Sequence, residues 1–106
     1  MNLPESIKVG AYDVKVIPWD KAQAAVAEKW GEFDAEVPSI AVDTSNTPAH
    51  TLDTLIHELG HAIFWAYHIR YRKEEKLVHA FASAATQVII DNPKLVKWIQ
   101  TTAKQR

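Results

Sequence analysis

The sequence predicts an α+β fold: a small, mostly antiparallel sheet laid down first, with helices segregated behind it. Three observations lead there. Short β-branched runs and turn residues dominate as far as Asp43, helical periodicity takes over from Pro48, and no repeat, low-complexity stretch or linker divides the 106 residues. That length makes room for one domain, residues 1–106. Hydrophobic residues at 47% and charged residues at 24% are the balance of an ordinary soluble globular chain. A formal net charge of -1 excludes a general electrostatic affinity for nucleic acid or acidic membranes. The chain has no cysteine, which removes disulfides, thiolate metal sites and thiol nucleophiles and fits a reducing, cytoplasmic setting. MNLPESIKVG lacks the basic start and apolar stretch of a signal peptide. No apolar run approaches the roughly 18 residues of a membrane span.

The elements follow in order. Ile7 to Ile17 read IKVGAYDVKVI, two β-branched runs around Gly10-Ala11, and glycine in the first loop position suits a two-residue type II′ hairpin. Pro18 is expected to stop the second strand. DKAQAAVAEKW predicts a short helix capped by Asp20 and ended by Gly31. In GEFDAEVPSIAVD, Pro38 interrupts two strand segments; Ser39–Asp43 is the better one, and the proline argues for an edge strand. Thr47 caps a long helix with Pro48 at its first position, running to about His68. A second long helix runs from near Lys73 to Ile90, and Asp91-Asn92-Pro93 then starts a last short helix to about Thr102.

His57-Glu58-Leu59-Gly60-His61 places the chemistry. On a helix, positions i and i+4 have Cβ atoms about 5–6 Å apart, so both imidazoles reach one ion. Zinc accepts nitrogen at about 2.0–2.1 Å in a tetrahedral arrangement, half of which this pair supplies. Glu58 lies about 100° round the helix from His57, where it can act as general base on a metal-activated water. Leu52, Leu55, Ile56, Leu59, Ala62, Ile63 and Ala66 share one broad apolar face, from which the histidines point away. Phe64 and Trp65 flank the histidine side, so the helix is expected to be covered on both sides.

A third ligand must come from elsewhere. The extended pattern with glycine three residues on and histidine three beyond is absent, because those positions are Phe64 and Tyr67. His50 and His68 are each about 10 Å along the helix from one of the pair, too far to share the ion. Glu74, Glu75 and His79 remain, if a short turn at Arg70 to Arg72 folds the next helix back. On that helix the apolar stripe is Val78, Phe81, Ala85, Val88 and Ile89, with Glu74 near its middle and Glu75 on its edge beside Ala82 and Thr86. Periodicity leaves the two glutamates undecided. Arg70, Arg72, Lys73 and Lys76 enclose those glutamates and read as a solvated face before a phosphate-binding patch, giving no strong nucleic-acid signal.

TLIHELGHAIF followed by EEKLVHAFA resembles the minimal gluzincin-type zinc peptidases of phages and prophages, and more distantly the ImmA/IrrE-like metallopeptidases. The resemblance implies a minimal zincin fold, one zinc per chain, and a protein or peptide substrate hydrolysed by Glu58-assisted attack of water. It favours Glu75 as third ligand beside His57 and His61, with Glu74 and His79 as the alternatives. His79 then stands where the pattern carries Asp or Asn, a group that orients a metal-bound histidine. The resemblance also expects an edge strand such as Ser39–Asp43 to bind substrate backbone by β-addition. Tyr67, His68, Tyr71 and His79 are candidates for an electrophile, each read first as packing or a solvated helix end. The short chain leaves little room for a deep cleft, which motivates an alternative: a zinc-stabilised regulatory or binding module without turnover.

Overall fold

A computed structural model describes residues 3–105. The elements are β1 (Ser6–Val9), β2 (Tyr12–Trp19), α1 (Lys21–Ala27), β3 (Gly31–Asp34), β4 (Ser39–Asp43), α2 (Pro48–Ala66), α3 (Glu74–Asp91) and α4 (Pro93–Ala103). One four-stranded sheet has the order β1-β2-β4-β3. β1 and β3 pair antiparallel with their neighbours, and β2 runs parallel to β4. The fold is α+β, as the sequence predicts, with a mixed sheet.

Val9 faces Tyr12 across the hairpin, leaving Gly10-Ala11 as a two-residue loop. Gly10 has φ +60 and Ala11 stays at negative φ, the pattern of a type II′ turn. Pro18 does not stop β2, which runs on to Trp19. The reason lies in the ladder. Val16 donates its N–H towards Glu5 and Lys15 donates towards Pro38, so residue 18 would aim its N–H at the side where β1 has not yet begun. A missing donor costs nothing there.

Pro38 also misleads. It precedes β4 and supplies only its carbonyl, which accepts from Lys15 N at 3.1 Å. β4 is therefore central, not an edge strand, and all five of its residues are buried. The edge is β3. Gly31 begins that strand instead of ending α1. The helix stops earlier, at Glu28, in the left-handed region at φ 56. A Cβ on Gly31 would stand 2.7 Å from the Ala41 carbonyl oxygen and 2.7 Å from Thr54 Cγ2, so this glycine permits close approach of edge strand and helix. Asp20 does cap α1, in a reciprocal box with Gln23.

Val9, Val14, Ile40, Val42 and Ala62 form the core, with Phe33, Leu55, Leu59 and Ala66 packed against it. Asp43 ends β4 almost wholly buried and accepts hydrogen bonds from Ser45 N, Ser45 Oγ and Asn46 Nδ2. The Ser45 hydroxyl foremost, then its amide, hold this carboxyl below the ordinary carboxylate range. The loop so braced leads into α2, where the Thr47 hydroxyl accepts from His50 N and Pro48 opens the first turn.

α3 folds back antiparallel to α2, since the facing pairs run 61 with 74, 60 with 78 and 53 with 83. The side it turns to α2 is Val78, Ala82 and Thr86, the edge that carries Glu75. Phe81 and Val88, inside the apolar stripe that periodicity predicts, face solvent instead. α4 packs chiefly on α3 and buries no residue. Among the described residues no helix is long and apolar enough to cross a membrane.

Candidate metal centre

α2 contributes two imidazoles one turn apart, and the first turn of α3 brings two carboxylates over them. Glu75 Oε1 lies 2.8 Å from His57 Nε2, and Glu75 Oε2 lies 2.8 Å from His61 Nε2. One ligand atom from each of these three residues can be chosen so that all lie within 4.8 Å of one another. Tetrahedral ligands at about 2.0–2.1 Å from zinc stand about 3.3 Å apart, inside that span, so the donor set fits such an ion. The histidine side chains are only 17% and 18% exposed, whereas Glu75 is 72% exposed at the mouth of the site.

Glu74 takes the other side of the same histidine. Its Oε2 lies 2.6 Å from His61 Nδ1, a hydrogen bond that fixes the ring with Nε2 turned to Glu75. Burial alone would lower the His61 pKa. The Glu74 hydrogen bond and the Glu75 and Glu58 charges outweigh it and hold the imidazole above its ordinary value. Glu74 thus occupies the orienting position that the resemblance gives to His79. His79 is exposed, with its ring centroid 5.9 Å from that of His57, and stands outside the group of His57, His61 and Glu75.

Glu58 is buried at 8% exposure on the face of α2 that also buries Thr51, Thr54 and Ala62. Burial pushes its carboxyl up, His57 and His61 pull it down, and Glu75 adds to the push; the net direction is up. The apolar stripe of α2 gives no sign of this second buried face, because two threonines and a glutamate compose most of it.

These groups open into a cleft of about 970 Å³. Glu58, His57, His61, Glu74, Glu75 and His79 all line it, and so does His68; Tyr67 and Tyr71 do not. Tyr67 turns instead to the hairpin loop, its ring 3.5 Å from where a Cβ on Gly10 would stand. The opposite wall is β3 with the residues before it: Lys29, Trp30, Gly31, Glu32 and Phe33. Ser39–Asp43 is absent from the lining, being the buried centre of the sheet, so the strand at the cleft is β3. The sequence hides this strand, because Gly31 reads there as the end of α1. Trp30 stacks edge-on against His50 at 4.7 Å, closing the far end.

Comparison of the chain with family models, with curated proteins and with solved structures returned no match.

Proposed function

We propose that this chain is a zinc-dependent metallopeptidase, with His57, His61 and Glu75 as metal ligands and Glu58 as general base. One observation carries the reading. The Glu75 carboxylate meets Nε2 of both histidines, while Glu58, the residue between them that cannot join the same ligand set, stands in the wall of the same cleft. Two imidazoles and one carboxylate are a donor set that zinc accepts with a position left open. A zinc ion bound there would polarise a water and a peptide carbonyl. Glu58 would serve there as the base that takes a proton from the attacking water and hands it to the departing amine. Glu74 fixes the His61 ring through Nδ1. β3 pairs with β4 on one side only, so its other edge is free to hold an extended peptide by main-chain hydrogen bonds alongside the cleft.

Elemental analysis of protein purified without a histidine tag or added metal should give one zinc per chain, lost in Glu75→Ala. Glu58→Gln should keep the zinc and lose about 10²- to 10⁴-fold in hydrolysis of a peptide library. A Glu58→Gln protein that cleaves at the native rate overturns the mechanism.

The ligand set also joins α2 to α3, and this favours a second reading, a zinc-stabilised binding module. Zinc bound in the native chain with no turnover on any library, and the same partner affinity in Glu58→Gln, would decide for it.

A further inference from the structure

α3 is apolar on two sides, and only one of them is used. Val78, Ala82 and Thr86 pack on α2. Roughly 130° round the helix, Leu77, Phe81, Ala84 and Val88 form a second stripe. Its large members are 47%, 66% and 48% exposed, and Ala84 is exposed between them. The spacing of four, three and four residues is that of an a/d seam, the pattern by which one helix packs lengthwise on another.

The stripe is complementary to itself. A two-fold axis across α3 between Ala82 and Ser83 sets Leu77 of one copy against Val88 of the other, and Phe81 against Ala84. Each large side chain meets a smaller one, and each contact occurs twice, as an isologous interface requires. The charges agree. Lys73 and Asp91 are 18 residues apart, which is five turns and hence the same side of α3, so the axis brings Lys73 of one copy beside Asp91 of the other. Glu74, on the opposite flank, falls near Asn92 and meets no like charge.

The area is also sufficient. The seam exposes roughly 400 Å² of apolar side chain, and Leu95, Trp98 and Ile99 on α4, all exposed, add about as much again. Covered together, the two stripes approach the ~800 Å² that each partner contributes to a standard interface.

We propose that the chain forms a two-fold dimer through antiparallel pairing of α3, with α4 flanking the contact. The seam lies about 150° round α3 from Glu75, so the pairing does not need the metal centre to be filled.

Sedimentation of the full chain over a range of concentrations tests this directly. A monomer–dimer equilibrium is expected, with Phe81→Glu raising the dissociation constant at least ~100-fold. Phe81 is exposed in the single chain, so circular dichroism and metal content should be unchanged in that variant. Lys73→Asp and Asp91→Lys should each weaken the dimer about 3- to 10-fold, and the double variant should restore it. A native chain that stays monomeric at every concentration overturns the proposal, whether or not it binds vesicles of anionic lipid through α4. So does a dimer that survives Phe81→Glu and is lost in Trp98→Glu.

Discussion

The two halves of this molecule are built to different standards. Every residue of β4 is buried, whereas α4, with 11 residues, buries none. β4 has a strand on each edge and packs against both α2 and α1, so the side chains that alternate between its two faces are all covered. α3 meets the rest of the fold along one narrow strip, and its N-cap, Lys73, makes no side-chain cap bond. Few buried residues mean a low free energy of local opening; on that measure α4 is the loosest element, and α3, held to the fold chiefly through α2, opens with it more readily than the sheet. The candidate metal centre spans the division. Its histidines stand on α2 and its carboxylates on the first turn of α3, so an ion bound there would fasten α3 to α2.

The largest effect that can test this contrast is metal binding itself. Zinc at about a thousand times its dissociation constant should stabilise the folded chain by about 4 kcal/mol. Thermal melts would give the magnitude, and hydrogen exchange its location: added protection should concentrate in α3 and α4. Protection gained equally by β2 and β4 would show that the two halves open together.

Next is the sheet alone. Gly31→Ala drives a Cβ to 2.7 Å from a backbone carbonyl and 2.7 Å from Thr54, with Glu58 Cγ at 3.2 Å, and a carbonyl in a central strand cannot step aside. Overpacking of this kind should cost about 2–3 kcal/mol in urea unfolding. A loss below about 0.5 kcal/mol would mean that the edge strand is as yielding as α3.

Glu74→Ala is smaller and purely local. Removing the acceptor from His61 Nδ1 should weaken zinc binding about 10- to 100-fold, while Glu74→Gln, whose amide oxygen still accepts that proton, should recover most of it. If both variants lose affinity equally, Glu74 acts through its charge and not by orienting the ring.

Much of this was legible in the residues, and the failures share a cause. The hairpin, the caps at Asp20 and Thr47 and the two long helices rest on signals a few residues wide, and local chemistry decided them. The pair His57 and His61 came from spacing on one helix. Pro18, Pro38 and Gly31 were misread because each has a local meaning that the sheet overrides: which side of a strand is paired, and what packs beside it, depend on residues twenty positions away. The outward turn of Phe81 is the same failure in a helix. Periodicity finds an apolar stripe but does not say which of two neighbouring stripes meets α2. The edge with Glu75, Ala82 and Thr86 won, and glutamate and threonine do not look like an inner face.

Gly60 shows how finely that choice is set. It lies between the two histidines, where a Cβ would stand 2.8 Å from Val78 Cγ1 and 3.3 Å from Cγ2. Gly60→Ala removes a residue that costs about 1 kcal/mol in a helix interior, and by that measure stabilises α2. Against it, Val78 is buried at 4% exposure and is stiff at χ1 in a helix, so it yields only if α3 moves with it. The two effects oppose each other, and the net change in stability should stay within about 1 kcal/mol. The displacement does not cancel. Glu74 and Glu75 sit one turn before Val78 on the same helix, so a shift of α3 by a few tenths of an ångström carries both carboxylates off the histidines. Zinc affinity should therefore fall several-fold in a protein whose urea midpoint has barely changed. If affinity and midpoint both stay put, the close approach at Gly60 does not set the distance between the two halves, and the ligands themselves do.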